Sequence, residues 1–164
     1  MKYSFSCYGH ENIIAKHKTT LEFTKDSELS SEGDCIVGVK ADFSLEEVKK
    51  FIKTISNNRK ITIIIGIINS ESDNNKNNPI KKIDTNNKTN KIENNSKNKI
   101  IGKINAKINP NFNSDKEMVI RKSDFISERT FAINADKGAF ELNKGLVGFL
   151  KEKGNKIDVF ILNK

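Results

Sequence analysis

The sequence predicts an α/β protein, a mixed sheet with helices packed on it, made of two pseudo-symmetric β-β-β-α-β halves. Three observations lead there. Short segments alternate apolar and polar residues with period two, as half-buried strands do. Two other segments carry apolar residues at helical spacing. The order strand, Ala-Asp, helix, strand also occurs twice: IVGVKADFSLEEVKKFIK followed by KITIIIGI, and TFAINADKGAFELNKGLVGFLK followed by KIDVFIL.

Lys2 to Tyr8 sets Tyr3, Phe5 and Cys7 on one face and Lys2, Ser4 and Ser6 on the other. The turn Gly9-His10-Glu11-Asn12 follows, and a second strand is expected from Ile13 to Lys25. That strand sets His17, Thr19, Leu21 and Phe23 on one face and a polar row of Thr20, Glu22 and Thr24 on the other. A polar loop, 25–34, ends in Glu32-Gly33-Asp34 before a short buried strand, Cys35 to Lys40. Ser44-x-x-Glu47 is a capping box opening a helix over Ser44 to Ile55, with Leu45, Val48, Phe51, Ile52 and Ile55 on one stripe. Ile61 to Ile68 is apolar without alternation, as a central strand covered on both faces, or a very well buried one, would be.

Residues 69–99 change character: 11 are Asn and seven are Lys, with scattered Ile. Such a segment cannot bury enough apolar surface to offset its ordering entropy, so a disordered insertion is expected inside a single domain spanning 1–164. A lysine-rich RNA-binding arm is the alternative reading of the same residues. Beyond it, strands are expected at Ile100 to Ile108, Glu117 to Arg121 and within Ser127 to Ala135. A helix is expected from Asp136, with Gly145 and Gly148 packed close to a neighbour, and a strand over Lys156 to Leu162 closes the pattern. Each half is expected to begin with a polar hairpin, and Asp42 and Asp136 to cap the helices that follow them.

The formal net charge is +8. The insertion holds seven Lys against four acidic residues, a net +3, which leaves +5 for the rest, so the folded part is only moderately basic. The N-terminal segment has no continuous apolar run of the signal-peptide kind, and no run approaches the length of a membrane span. A cytoplasmic, reduced protein with no membrane partner is the expectation, and Cys7 and Cys35 are expected as thiols.

GHENIIAKHKTTLEFTKD…GDCIVGV together with VIRKSDFISERTFAINADKGA resembles the archaeal family known as domain of unknown function 371. The resemblance covers most of the chain outside 69–99. Its motif falls here on Gly9, His10, Asn12, His17, Thr20, Glu22, Thr24, Gly33, Asp34 and Cys35, then on Arg121, Lys122, Ser123, Arg129, Thr130, Asp136 and Lys137. It implies an archaeal, cytoplasmic, single-domain protein and carries no activity.

These residues offer four chemistries. Cys7, His10, His17 and Cys35 have soft or borderline donors, but C-x2-H-x6-H-x17-C is not a zinc-finger or ribbon spacing, and no metal site is predicted. Cys35 is a candidate nucleophile with His10 or His17 as base, against the plain reading of a cysteine starting a core strand. His10, His17, Glu22 and Asp34 are candidates for acid–base work, against the reading of structural histidines, and a regular strand would turn His17 and Glu22 to opposite faces. Arg121, Lys122, Ser123, Arg129 and Thr130 combine the groups that hold phosphate or carboxylate, against surface salt bridging. Asn12, Thr20 and Thr24 complete the expected ligand-binding set.

No Walker loop, G-x-G-x-x-G or G-x-S-x-G is present, and no cofactor is assigned. The function this supports is a polar cleft that binds, and in the stronger version transforms, an anionic phosphate-bearing ligand such as a nucleotide. An RNA-binding or ribonucleoprotein accessory role is the alternative. Partners are therefore an anionic small molecule or RNA, with a homo-oligomer left open.

Overall fold

The computed structural model describes residues 1–55, 59–67 and 101–163, with Ile101 described by its backbone alone. The expected insertion, 69–99, lies outside the described residues, as does Ile68. Strands β1 (Lys2–Tyr8), β2 (Thr20–Thr24), β3 (Ile36–Gly38) and β4 (Lys60–Gly66) alternate in sequence with helix α1 (Leu45–Thr54). Strands β5 (Ile101–Ile108), β6 (Glu117–Arg121), β7 (Thr130–Ile133) and β8 (Lys156–Asn163) follow, with helix α2 (Lys144–Leu150) before β8.

All eight strands join one mixed sheet in the order β1-β8-β4-β5-β7-β6-β2-β3. The β2–β3 and β6–β7 pairs are parallel and the others antiparallel. The outermost strands also meet, because Tyr8 and Val39 form an antiparallel bridge with N–H to O distances of 2.8 and 2.9 Å. That bridge closes the sheet on itself and leaves β1 and β3 no open edge at this point.

The hairpins expected at the start of each half do not form. β1 pairs with β8 and β2 with β6, so the sheet is stitched between the halves. Exchanging β1–β4 with β5–β8 leaves the pairing order unchanged, and local contacts recur with it. Asp42 donates its N–H to Ser6 O and accepts from Ser6 N–H at Oδ1, at 3.0 and 2.6 Å. Asp136 makes the same two contacts with Asn105, both at 2.9 Å. Lys40 and Asn134 both have left-handed backbones, with φ of 50° and 51°.

These contacts correct the capping expectation. Both aspartates hold a strand backbone, and the helix caps are Ser44, which accepts from Glu47 N–H, and Asn143, which accepts from Gly145 and Leu146 N–H. Ser44 is thus the cap of α1 as expected, a contact worth ~1 kcal/mol, but the box is only half made: the Ser44 N–H donates to Tyr3 Oη at 3.0 Å and not to Glu47. The helix expected from Asp136 is a 3₁₀ turn at Ala139–Glu141 followed by the shorter α2. Gly145 and Gly148 are exposed and do not mediate close packing: a Cβ at Gly148 would meet nothing within 4 Å. Gly138 is the tight one, since a Cβ there would lie 2.5 Å from Lys18 O.

The second strand is also shorter than its alternation suggests. Ala15 takes a left-handed backbone, φ 49°, and the Lys16 and His17 N–H groups both donate to Asp34 O, so the chain runs irregularly until Thr20. The core is one cluster fed by alternate residues of the strands and by Val48, Phe51, Leu146 and Leu150 of the helices. Phe23–Phe5–Phe43–Phe112–Phe131 runs through it as a chain of ring contacts at 5.3 to 6.5 Å. Each such pair adds ~0.5–1.5 kcal/mol beyond area burial.

Candidate functional site

With Leu21 and Phe23 committed to the core, Thr20, Glu22 and Thr24 must face the other side of β2, and all three are buried. On β6, alternation puts Met118 and Ile120 in the core and Glu117, Val119 and Arg121 on that same opposite side. The register sets Thr20 against Arg121, Glu22 against Val119 and Thr24 against Glu117, while Thr130 of β7 lies beside Val119. The result is a polar cluster on a sheet face made by strands of both halves.

Glu22 is its centre, with a side chain only 7% exposed. The Cys35 thiol donates to its Oε2 at 3.7 Å, and Arg129 Nη1 stands 3.9 Å from the same oxygen while making a 2.7 Å pair with Glu117. Burial raises the Glu22 pKa above the usual carboxylate value and the Glu117 charge adds to the rise, with Arg129, the Cys35 thiol and Arg121 opposing it. Burial followed by the Glu22 charge pushes the Cys35 thiol up to about 12, so the sulfur stays protonated at neutral pH.

Arg121 completes the cluster. Its Nε donates to Thr130 Oγ1 at 3.1 Å, and Thr130 Oγ1 also accepts from Ser127 N–H at 3.0 Å. The guanidinium carbon stands 5.1 Å from the centre of the Phe125 ring. Its terminal nitrogens make no hydrogen bond or ion pair among the described residues. Burial and the neighbouring Arg129 charge lower its pKa. The arrangement is a guanidinium fixed at one end and open at the other, next to a buried acid and a thiol.

The remaining sequence candidates divide. His17 lies outside β2, and its ring folds back so that Nδ1 accepts from Thr19 and Thr20 N–H at 3.3 and 3.0 Å. Asp34 holds that loop through its carbonyl. The opposite-face conflict between His17 and Glu22 therefore disappears, because His17 is not a strand residue. Lys122 pairs with Glu141 at 2.9 Å, and Ser123 Oγ accepts from Phe125 N–H at 3.5 Å, so both brace loops. Asn12 donates to Leu29 O, and Thr24 Oγ1 accepts from Asp26 N–H.

His10 is 2% exposed and belongs elsewhere, with Nε2 3.4 Å from Glu28 in a separate pocket. Glu117 and Phe125 were missed by sequence reasoning. The alternation Glu117-x-Val119-x-Arg121 could have placed Glu117; nothing in the sequence signals its pairing with Arg129. No group of three or more His, Cys, Asp and Glu side chains suited to a metal occurs among the described residues.

The family model for a domain of unknown function, DUF371, matches residues 5–164. The chain belongs to that family. The uncharacterized protein MJ0206 of Methanocaldococcus jannaschii is 33% identical over 153 residues, covering 93% of each chain. The DUF371 chain thus has an archaeal relative matching nearly its whole length. Among the described residues of this DUF371 protein, no helix is long and apolar enough to cross a membrane.

Proposed function

We propose that the β2–β6–β7 face binds a small anionic, phosphate-bearing ligand such as a nucleotide, with Arg121 as the anchor. The observation that supports it most is the Arg121 guanidinium: Nε is tied to Thr130, the terminal nitrogens have no partner among the described residues, and Phe125 flanks it at 60% exposure. A planar fork held this way suits bidentate contact with an oxyanion, and an exposed ring beside it suits a base. Cys35, whose thiol stays protonated, supplies a donor beside the fork, and the buried Glu22, with its pKa raised by burial, supplies a titratable carboxyl. A buried carboxyl that the surroundings disfavour when ionised is more readily explained by function than by stability.

The test is titration with nucleotides and sugar phosphates, followed by calorimetry, on wild type, Arg121→Lys and Phe125→Ala. Arg121→Lys keeps the charge but loses the fork, and a loss of about tenfold or more in affinity is expected. Equal affinity of Arg121→Lys and wild type would refute the anchor role.

RNA binding is a second reading, favoured by two exposed rings, Phe125 and Phe140, on the segments after β6 and β7. A steep fall of RNA affinity with salt would support it, and no binding at low salt would dismiss it. We further propose that the two halves descend from one repeated unit, on the strength of the matched Asp42/Asp136 and Lys40/Asn134 positions. The two free cysteines fit a reducing, cytoplasmic setting.

A further inference from the structure

Away from the Arg121 cluster, a pocket of about 360 Å³ opens where β1 and β3 meet. Its lining includes Tyr8, His10, Ser27, Lys40 and Lys153, with Gly9 and Gly154 supplying backbone. His10 is the only one of these polar side chains that is buried, at 2% exposure. The second half shows what the fold requires at this place.

His10 Nδ1 accepts from Asn12 N–H at 3.1 Å, and Asn109 Oδ1 accepts from Asn111 N–H at 3.0 Å. Ile13 N–H donates to His10 O, and Phe112 N–H to Asn109 O. The two side chains thus perform one backbone task, holding the turn after β1 and after β5. Asn109 spends its remaining group inside the fold, since Nδ2 donates to Thr130 O at 2.7 Å. His10 does not. With Nδ1 accepting, the neutral ring carries its proton on Nε2, whose contact is Glu28 at a long 3.4 Å, on a side chain 77% exposed. The turn needs an acceptor here, and the chain has placed a group with a second, outward donor.

The neighbours of that donor are cationic. The Lys40 ammonium has no hydrogen-bond or ion-pair partner among the described residues, its backbone N–H alone donating to Asp26 O, and the Lys153 ammonium reaches only Glu11 at 3.7 Å, a pair in which each side chain is 57% exposed. Lys40 also sits at φ 50°, a backbone that favours Gly, Asn or Asp, so a lysine there is not chosen for its conformation. Glu28 and Glu11 are the acids at hand, and both are exposed enough to swing aside.

We infer that the pocket formed by His10, Ser27, Lys40 and Lys153 is a second oxyanion site, for a phosphate group, with His10 Nε2 as buried donor and the two ammonium groups as its charge. Phosphate as free ion and phosphate as monoester share this chemistry, and the volume admits either.

The experiment uses the full chain, with inorganic phosphate and AMP as probes, followed by NMR of the histidine ring resonances. The variants are His10→Asn and Lys40→Asn, each installing the residue that stands at the matching place in the second half. Both retain the local backbone, and thermal melting checks that they fold. Saturable shifts of the His10 ring in wild type, and affinity about tenfold or more weaker in both variants, are expected. A shift with AMP but not phosphate identifies the monoester as the ligand form. Absence of saturable binding to wild type, or variants that bind as tightly as wild type, would overturn the site. If His10→Asn fails to fold, Lys40→Asn with Lys153→Ala decides by the same criterion. Arg121→Ala separates this pocket from the other cluster: it should leave the His10 shifts intact, and their loss in that variant would assign the binding to the Arg121 face and refute the inference.

Discussion

Replacing Glu22 with Gln tests the electrostatic account of the cluster most directly. The side chain is 7% exposed, its thiol contact is long at 3.7 Å, and its cation, Arg129, gives the short 2.7 Å contact to Glu117 and only 3.9 Å to Glu22. Burial therefore wins, and the folded-state pKa lies above the unfolded one. The sign follows from proton counting. Between those two pKa values the folded chain holds a proton the unfolded chain has released, so stability falls as pH rises through that window. One proton sets the limiting slope at about 1.4 kcal/mol per pH unit. Above the folded pKa the loss is complete and constant. Glu22→Gln removes the titration, so the stability of wild type relative to the variant should be highest below the ordinary glutamate pKa, decline as pH rises above it and level off above the folded value. Urea unfolding of both proteins at half-unit steps from pH 4 to 8 measures that difference curve directly, with the other carboxylates cancelling. A difference independent of pH, or one that moves in favour of wild type as pH rises, would refute the burial argument.

Other consequences are sharper on packing and reactivity. Gly9→Ala would put a Cβ 2.4 Å from Glu152 O and 2.6 Å from Leu150 O, both backbone atoms, and should lower unfolding stability by ~1–3 kcal/mol or more in urea. Asp136→Ala removes acceptors at 2.9 and 2.8 Å from the Asn105 backbone and side chain, and should cost ~1–3 kcal/mol at pH 7. Because those hydrogen bonds lower the Asp136 pKa, the wild-type advantage should shrink as pH falls through the folded value. With its pKa at about 12 against an ordinary 9.0, Cys35 should alkylate about a thousandfold more slowly than a free thiol at pH 7, read by mass spectrometry, and Glu22→Gln should speed it up. Rapid labelling of the wild type would contradict its protonated state.

What the sequence makes legible here is local. Period two in KYSFSCY, the Ser44 cap with its apolar stripe and the apolar run at Ile61 each encode their own segment, and each segment forms close to the expected bounds. The mixed sheet with two helices follows from those segments. Pairing is different, because nothing in β1 names β8 as its partner, and the expectation of sequential hairpins rests only on proximity along the chain. The overlong second strand fails for a related reason: His17 and Asp34 settle the 15–19 path through contacts across a loop, which alternation does not register. At the candidate cluster, residue types pointed to Glu22, Cys35, Arg121, Arg129 and Thr130, which do gather. His10 is near them only in sequence, and the turn after β1 carries it to another pocket.

The interleaving of the strands also bears on how the chain reaches this state. β8 sits between β1 and β4, so the earliest residues find their main partners only among the latest ones. The first half alone cannot assemble its sheet: β1 and β4 would lack the strand that joins them, and β2 would have β3 but not β6. Ring closure over almost the full chain must precede most of the stabilising contacts, which gives high contact order and slow, cooperative folding. During synthesis the unpaired apolar strands must wait until Ile157 to Ile161 emerges. A truncation before β8 should therefore accumulate as an aggregating fragment, while the complete chain should unfold in one step with both helices lost together.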